Sequence, residues 1–311
     1  MRKVVITGGA GFIGSHITEK LSSQGYRIII LDDLSTGKME NIEALLETED
    51  VELVQGSITD LTLLQRIFRG VYHVFHQAAI PSVPRSIKNP QASHDVNVTG
   101  TLNVLLAARD NNVKKVIYAS SSSVYGDTPT LPKVEDMIPN PQSPYAVTKL
   151  TGEYYCRVFE QVYNLPTVCL RYFNVYGPKQ DPDSQYAAVV PLFISRVSQG
   201  KSPIIFGDGK QTRDFTYISD VVKANILAAE SNASGVFNIG GGGNQVSLEK
   251  LARLVPKLMS KDIDPIYEKP RPGDIRHSLA DISKAKTFGY EPRYILEEGL
   301  KETINGFQHA K

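Results

Sequence analysis

The sequence predicts an α/β protein built on a Rossmann-like, doubly wound parallel sheet with a smaller mixed α/β lobe. Short β-branched runs alternate with helical stretches through the first half of the chain. These runs are apolar throughout, as expected of strands that are covered on both faces. A glycine-rich turn joins the first run to the first helical stretch. Strand–helix alternation of this kind gives right-handed βαβ units on a parallel sheet.

The elements of the first half follow from these patterns in chain order. Six apolar runs are predicted strands: Lys3–Thr7, Arg27–Leu31, Val51–Gln55, Val71–His76, Lys115–Ala119 and Thr167–Arg171. The stretches with helical periodicity between them are predicted helices: Phe12–Gln24, Asp60–Phe68, Gln91–Asn111 and Pro144–Tyr163. Ligands of an open parallel sheet bind beyond the carboxyl ends of its strands, so the loops after these strands are the candidate site.

The pattern changes after Arg171, where Pro, Gly and Asp become frequent. We expect a nucleotide-binding domain over residues 1–173 with a return segment at about 214–240. Residues 174–213 and 241–311 form the smaller lobe in this interpretation. The elements predicted in this part are the helices Val189–Gln199 and Ile218–Ser231, the strand Val236–Ile239, and a helix capped by Ser247.

Composition excludes several classes of function. The 311 residues include 34 Lys and Arg against 33 Asp and Glu, a formal net charge of +1. A near-neutral chain has no bulk attraction to nucleic acid or to an anionic membrane, so an anionic ligand needs a local site. Two cysteines exclude a disulfide framework, and no Cys/His spacing predicts a metal site. Without a signal peptide or an apolar run of about 18 residues, a cytoplasmic protein is expected.

The loop after the first predicted strand has the spacing of a dinucleotide-binding turn. Gly8 permits the tight turn, Gly11 allows a pyrophosphate to approach the backbone, and Gly14 allows close helix–sheet packing. The pyrophosphate would lie on the amino terminus of the helix. Asp32, at the end of the second strand, can accept from ribose hydroxyls and repel a 2′-phosphate. With Asp33 it favours NAD over NADP, whereas the alternative interpretation is a tight turn without a ligand.

A second pattern places Tyr145 and Lys149 four residues apart, on one face of a predicted helix. An ammonium near a phenol favours the phenolate and should lower the tyrosine pKa toward that of a general base. Such a pair also arises by chance, so its position carries the argument. It follows a helix start at Ser143 and a serine run that ends the fifth strand. Ser121 in that run is a candidate catalytic residue, although serines there can also be turn residues.

With these motifs, the chain resembles the extended short-chain dehydrogenase/reductase family, and within it the nucleotide-sugar 4-epimerases that act on UDP-glucose and UDP-N-acetylglucosamine. The resemblance covers essentially the whole chain. It rests on GGAGFIG at 8–14, SSSSVYG at 120–126, SPYAVTK at 143–149, RYFNVYGP at 171–178, GDGKQTRDFTYISDV at 207–221 and RPGDIRHSLADISKA at 271–285.

The resemblance implies two sets of binding residues. Residues implied to contact NAD are Gly8, Gly11, Phe12, Ile13, Gly14, Asp32, Asp33, Ser35, Thr36, Gly37, Ser57, Ile58, Gln77, Ala78, Ala79, Ile80, Asn97, Tyr145, Lys149 and Phe173. Residues implied to contact the UDP-sugar are Ser82, Val83, Ser121, Ser122, Ser123, Tyr145, Asn174, Ala188, Val189, Phe206, Arg213, Arg271, Asp274 and Ser278. The arginines agree with simple chemistry, because guanidinium groups suit a diphosphate.

The reaction implied by the family is a transient oxidation at the sugar C4. Tyr145 takes the proton of the 4-hydroxyl with help from Ser121, and Lys149 holds the nicotinamide ribose. Tightly bound NAD takes the hydride and returns it to the opposite face of the 4-keto sugar. NAD is thereby regenerated in each cycle.

Two alternatives stay open, and one sister activity is disfavoured. The related 4,6-dehydratases carry Thr-Asp-Glu where this chain has Ser121–Ser123, and serines cannot supply that acid and base. UDP-glucuronate 4-epimerases share the serine motif and are the alternative in the same class. A non-catalytic NAD-binding scaffold or sensor is the alternative from another class.

Two further expectations come from the resemblance. Ser278 stands where a bulky tyrosine restricts relatives to glucose and galactose, so its small side chain should also admit the N-acetylated sugars. The chain carries Pro81–Val83 where several epimerases have a lysine, which leaves contacts of that loop undefined. Relatives pair two long helices in a four-helix dimer interface. The stretches Val98–Asn111 and Tyr145–Tyr163 correspond to them, so a homodimer is expected.

Overall fold

The predicted doubly wound sheet is confirmed by this computed structural model, which describes residues 1–182, 188–243, 245–270 and 275–309. Within those ranges the parallel central sheet has the strand order β11-β6-β5-β4-β1-β2-β3, so the order reverses beside β1. The strands are β1 (Lys3–Thr7), β2 (Arg27–Asp32), β3 (Val51–Gln55), β4 (His73–His76), β5 (Lys115–Ser121), β6 (Thr167–Tyr172), β7 (Val175–Tyr176), β8 (Ile204–Phe206), β9 (Thr212–Asp214), β10 (Thr216–Tyr217), β11 (Gly235–Ile239), β12 (Gln245–Ser247) and β13 (Ile266–Glu268).

Helices cover both faces of this sheet. They are α1 (Phe12–Ser22), α2 (Glu43–Leu46), α3 (Leu61–Ile67), α4 (Val83–Lys88), α5 (Pro90–His94), α6 (Thr101–Asp110), α7 (Pro144–Tyr163), α8 (Val189–Ser198), α9 (Ile218–Glu230), α10 (Leu248–Leu258), α11 (Ser283–Lys286) and α12 (Leu296–His309). Helices α1 and α9 pack on one face, and α3, α6 and α7 pack on the other.

The sheet separates two hydrophobic cores. Val4 and Ile6 of β1 are fully buried in the core beneath α1 and α9. Val5, between them, is fully buried in the core beneath α3, α6 and α7. Successive side chains of a strand point to opposite faces, so both sets must be apolar. This arrangement explains why the strands are continuous apolar runs in the sequence.

The helix predicted over Gln91–Asn111 is interrupted. A π-helical turn, Asp95–Gly100, lies between α5 and α6. It contains Asn97, whose side chain accepts from the Ile80 backbone N–H at 2.8 Å and donates to Thr148 Oγ1 at 3.1 Å. Single π-helical turns often occur at functional sites. The spacing of apolar residues in the sequence does not show that this one turn contains an additional residue, so the π-helical turn was not predicted.

The remaining segments form short two-stranded sheets. Strand β7 pairs with β10 and β8 with β13, both parallel, while β9 pairs with β12 in antiparallel fashion. The predicted division into a nucleotide-binding domain and a smaller lobe stays a prediction. Among the residues described above, no helix is long and apolar enough to span a bilayer. The same residues contain no group of three or more His, Cys, Asp or Glu side chains that could hold a metal ion.

We predict that Gly152→Ala destabilises the protein, because α7 packs closely on β5. A Cβ atom at Gly152 would collide with the ring and hydroxyl of Tyr118, which is buried. Overpacking of this kind costs about 1–3 kcal/mol. In an open helix the same change stabilises by about 1 kcal/mol, so the sign of the change is the test. Urea denaturation measures it, with Arg157→Ala on the exposed face of α7 as control.

Candidate active site

A cleft of about 580 Å³ lies across the carboxyl ends of the parallel strands. The turns after β1, β2, β3 and β4 and the ends of β5 and β6 all contribute to its walls. Every residue predicted to contact NAD lines it, except two: Gly8, Gly11, Phe12, Ile13, Gly14, Asp32, Asp33, Ser35, Thr36, Gly37, Ser57, Ile58, Gln77, Ala78, Ala79, Ile80, Tyr145 and Lys149.

The two exceptions lie beneath the cleft. Asn97 is buried and bonds through its side chain to the backbone of Ile80, so it supports the wall without lining it. Phe173 is fully buried in the core, with its ring 6.2 Å from that of Tyr125. Neither residue lines the cleft, because Asn97 bonds to Ile80 and Thr148 while Phe173 packs in the core, so their contact with NAD stays a prediction.

The glycine-rich turn is shaped by close backbone contacts. Gly8 has φ +71°, and a Cβ there would lie 2.7 Å from the Ala78 nitrogen. A Cβ at Gly14 would collide with the Gly8 carbonyl. Helix α1 has no side chain capping its amino terminus, and its first three residues line the cleft. The free N–H groups of such a first turn can receive a pyrophosphate.

Asp32 ends β2 and is held by two backbone donors. Its Oδ2 accepts from the Ala10 N–H and its Oδ1 from the Leu34 N–H, each at 2.9 Å. Burial raises the pKa of this carboxyl group, whereas the two N–H donors lower it. The fixed carboxylate lines the cleft, where it can accept from a ribose diol.

The structure brings Ser121, Tyr145 and Lys149 together. Ser143 caps α7 by accepting from the Ala146 N–H at 3.1 Å, which sets the start of the helix just before Tyr145. The Ser121 hydroxyl lies close enough to the Tyr145 phenol to lower its pKa as a hydrogen-bonding group. The Lys149 ammonium donates to the Ala119 carbonyl at 2.7 Å and lies 6.0 Å from the Tyr145 ring centre.

The electrostatics of this trio differ from the prediction. Burial raises the pKa of Tyr145 to about 12, and only the Ser121 hydroxyl opposes it. The expected lowering by Lys149 is wrong for this arrangement, because the ammonium is bonded to Ala119 rather than to the phenol. Burial also lowers the pKa of Lys149 to about 8, opposed by Cys156 and Glu153. Ionising Tyr145 therefore requires positive charge beyond what Lys149 supplies from this position.

Residues predicted to contact the sugar and the diphosphate fall into two groups. Ser82, Tyr145 and Ala188 line the cleft. Val83 follows Ser82 at the exposed start of α4, and Val189 follows Ala188 as the first residue of α8. Ser121, Ser122 and Ser123 lie at the end of β5. The Oγ of Ser123 and the Oδ1 of Asn174 are buried without a hydrogen-bond partner within the described part of the chain.

The second group lies around residues 211–213. Ser278 donates its N–H to the Thr212 carbonyl at 3.1 Å, and Arg213 Nη1 donates to the same carbonyl at 2.9 Å. The Phe206 carbonyl accepts from Gln211 at 2.7 Å. Arg271 and Asp274, also predicted to bind UDP, lie outside the described residues.

Sequence reasoning missed several residues that line the cleft. They include an ion pair between Lys38 and Asp181 at 3.0 Å, and Arg85 of α4. Ser120, one residue before the candidate catalytic serine, also lines it. Lys38 and Asp181 are too far apart in the chain for a spacing motif to connect them. Arg85 lies in α4, just after Pro81–Val83, where the chain departs from the family pattern.

Comparison with known proteins assigns this site to a family. Residues 4–240 match the NAD dependent epimerase/dehydratase family. The chain belongs to this family. NAD is therefore its cofactor, and the cleft fits that group through the uncapped start of α1 and the fixed Asp32 carboxylate.

The relatives include decarboxylases, and those that are named 4-epimerases differ in the sugar. The UDP-N-acetylglucosamine 4-epimerase of Methanobrevibacter ruminantium M1, solved with UDP-N-acetylmuramic acid, is 43% identical with a TM-score of 0.96, over 100% of this chain and 99% of that one. The Bacillus cereus UDP-glucuronic acid 4-epimerase, solved with UDP-glucuronic acid and NAD, is 35% identical with a TM-score of 0.92, over 99% and 100%. The UDP-glucose 4-epimerase of Mycolicibacterium smegmatis is 38% identical over 99% of each chain. The function is thus of the UDP-sugar 4-epimerase type.

We predict that Asp32→Asn reduces the preference of the protein for NAD over NADP by at least about tenfold. The change removes the charge that repels a 2′-phosphate and weakens acceptance from the ribose diol, and tenfold corresponds to about 1.4 kcal/mol. Calorimetric titration with each cofactor measures the preference. Asp50→Asn, just before β3 at the amino ends of the strands, is the control. An unchanged preference would show that Asp32 only shapes the turn.

Proposed function

We propose that the protein is an NAD-dependent UDP-hexose 4-epimerase that interconverts UDP-glucose with UDP-galactose and UDP-N-acetylglucosamine with UDP-N-acetylgalactosamine. The observation that carries the proposal is that Tyr145 and Lys149 line the cleft one helical turn apart on α7, with Ser121 beside the phenol at the end of β5. A phenol and a hydroxyl placed together can remove a proton from a sugar alcohol and return it.

Each residue of the trio has a separate task in this proposal. Tyr145 holds or releases the proton of the sugar 4-hydroxyl, and the Ser121 hydroxyl beside the phenol orients that proton. Lys149, fixed by the Ala119 carbonyl, supplies a buried positive charge beside the phenol and would hold the nicotinamide ribose. Bound NAD supplies reversible hydride acceptance, and its oxidised ring adds positive charge that favours the phenolate.

Binding of the UDP portion is assigned to the residues outside the trio. Arg213 offers a guanidinium group to a diphosphate. The unpartnered Oδ1 of Asn174 and Oγ of Ser123 are buried, and such groups normally have a hydrogen-bond partner. A UDP-sugar would supply those partners. Anchoring the nucleotide firmly leaves the 4-keto sugar free to turn between the two hydride transfers.

An NMR time course tests this function with purified protein and no added NAD. UDP-galactose and UDP-N-acetylgalactosamine are supplied in separate tubes, and conversion of both is expected. Conversion without added cofactor would support retention of NAD between turnovers. Conversion of UDP-galactose alone would contradict the wider sugar range. No conversion of either sugar after NAD is added would favour the uronate activity described next, or the non-catalytic scaffold or sensor.

UDP-glucuronate 4-epimerisation is the second candidate. Arg85 lines the cleft near Tyr145, whose N–H donates to Ser86 Oγ at 3.0 Å. A guanidinium group at that position suits a carboxylate on the sugar. The Bacillus cereus relative acts on this uronate. A third tube with UDP-glucuronic acid tests the candidate, and conversion there alone would replace the hexose assignment. Release of a UDP-pentose would instead indicate decarboxylation.

We predict that Ser278→Tyr removes activity on the N-acetylated pair and largely spares the plain hexoses. Ser278 is 9% exposed, and its backbone is fixed to Thr212. A phenol there would occupy the space that an N-acetyl group at C2 needs. The ratio of kcat/KM for UDP-galactose to that for UDP-N-acetylgalactosamine is the measurement, with Ser278→Ala as control. Equal losses on both substrates would contradict the role of Ser278 as a gate.

A homodimer through α7 is part of the proposal. Large apolar side chains are exposed along the helix at spacings of seven and four: Val147 (49% exposed), Tyr154 (46%), Val158 (42%) and Val162 (62%). Spacings of three, four and seven place residues on one side of a helix. A self-complementary apolar stripe suits a two-fold interface.

We predict that Val158→Glu converts the dimer to a monomer, because a charge would be buried in an apolar interface. Analytical ultracentrifugation measures the mass. Ile138→Glu, at an apolar side chain that is 89% exposed outside α7, should leave the dimer intact. A dimer that survives Val158→Glu would place the interface elsewhere.

A further inference from the structure

A buried carboxylate lies directly below the catalytic face of α7. Glu153 follows Lys149 by one helical turn and Tyr145 by two, so the three share a face. Glu153 is only 3% exposed and does not line the cleft. The proposed chemistry gives it no role, and charged side chains are seldom buried unless they are paired.

Three donors satisfy this carboxylate. Arg171 of β6 donates through Nε to Oε1 at 2.8 Å and through Nη2 to Oε2 at 2.7 Å. Ser120 donates its hydroxyl to Oε1 at 2.5 Å. Ser120 lines the cleft and immediately precedes Ser121, so the carboxylate ties α7 to the end of β5 at the point where the catalytic serine lies.

Arg171 is anchored on its other side. Its guanidinium lies 4.6 Å from the ring centre of Tyr125, and Nη1 donates to the Glu135 carbonyl at 3.5 Å. The Tyr125 hydroxyl in turn donates to Asn238 of β11 at 2.7 Å. The ion pair therefore joins α7, β5, β6 and β11 below the cleft.

Stability alone does not account for this pair. Well-packed apolar side chains usually serve as well as a buried ion pair, or better. Apolar side chains cannot supply the negative charge that Glu153 places one helical turn from Lys149. The other groups that face Lys149 are neutral or weakly acidic: Tyr118 of β5, Tyr145 and Cys156 of α7, and His76 of β4, whose pKa burial lowers to about 3.

We propose that Glu153 is a positioning residue of the reaction, which holds the end of β5 in place through Ser120, one helical turn beyond Lys149, while Arg171 holds Glu153. It acts through Lys149 and Ser120 and does not touch the substrate. Its effect on Lys149 agrees with the direction in which Glu153 moves the pKa of that ammonium, upward against burial. The expected changes in kcat and in its pH profile rest on the proposed function, whereas the expected change in phenol ionisation does not.

Three variants separate this role from a structural one. Glu153→Gln removes the charge but keeps the shape, and it leaves Arg171 unpaired. The double variant Glu153→Leu with Arg171→Met removes both charges, so the core regains charge balance even where the single variant folds poorly. Glu160→Gln, further along α7, is the matched control for a lost carboxylate, since the Glu160 carboxylate accepts from the Ser234 hydroxyl.

In the epimerase assay, both Glu153 variants should lower kcat by about 10- to 100-fold, as displaced catalytic groups do. KM should stay within about twofold, because the UDP contacts are untouched. The pH range over which kcat is high should become narrower, with the acidic limb moving to higher pH and the alkaline limb to lower pH. Without the Glu153 carboxylate, the Lys149 ammonium loses its proton at lower pH. With the end of β5 displaced, Ser121 stabilises the phenolate less, so Tyr145 ionises at higher pH.

A second readout needs no turnover. Ultraviolet titration of the NAD-bound protein, corrected with Tyr145→Phe, follows ionisation of the Tyr145 phenol directly. An upward shift in both Glu153 variants supports the proposal even if the sugar assignment fails, so the two failures are distinguishable. Wild-type kcat, pH profile and phenol ionisation in the folded double variant would overturn the proposal and leave Glu153 a packing residue.

Discussion

The close packing of α7 on β5 is the constraint on which the rest of the site depends. Gly152 leaves room for the Tyr118 ring, so the helix lies directly against the strand. At that separation the Lys149 ammonium reaches the Ala119 carbonyl, and Tyr145 reaches Ser121. Side chains from a helix and a strand meet at fixed positions without a loop between them. The chemistry therefore rests on regular elements, whose geometry is more uniform than that of loops.

Periodicity predicted the framework closely, because buried strands and amphipathic helices leave strong patterns. The range Pro144–Tyr163 of α7 was predicted without error, since a serine cap and a proline mark its start. The seven strands of the central sheet were predicted to within about two residues, the usual uncertainty of element ends. The short strands β7, β8, β9, β10, β12 and β13 were not predicted. The π-helical turn Asp95–Gly100 was missed because one extra residue per turn does not disturb the apolar pattern visibly.

Motifs predicted most of the lining of the cleft, but not its electrostatics. The direction in which the Tyr145 pKa shifts depends on burial and on the acceptor to which the Lys149 ammonium donates. The spacing of residues in the sequence predicts neither of these. Contacts between distant segments, such as Lys38 with Asp181, also leave no local pattern. Glu153 could have been noticed as a charge on the apolar face of α7. Its partner Arg171 lies in a run that otherwise resembles any buried strand.

The contact between Glu135 and β11 has a consequence for solubility. Strand β11 is at the edge of the central sheet, where unpaired backbone groups can recruit a strand from another molecule. The Glu135 carboxylate accepts the Asn238 N–H at 2.7 Å, in the position that a neighbouring strand's carbonyl would take. A side chain thus ends the hydrogen-bond ladder and places a carboxylate there. An incoming strand would have to displace it, so this edge is protected against the pairing that begins aggregation.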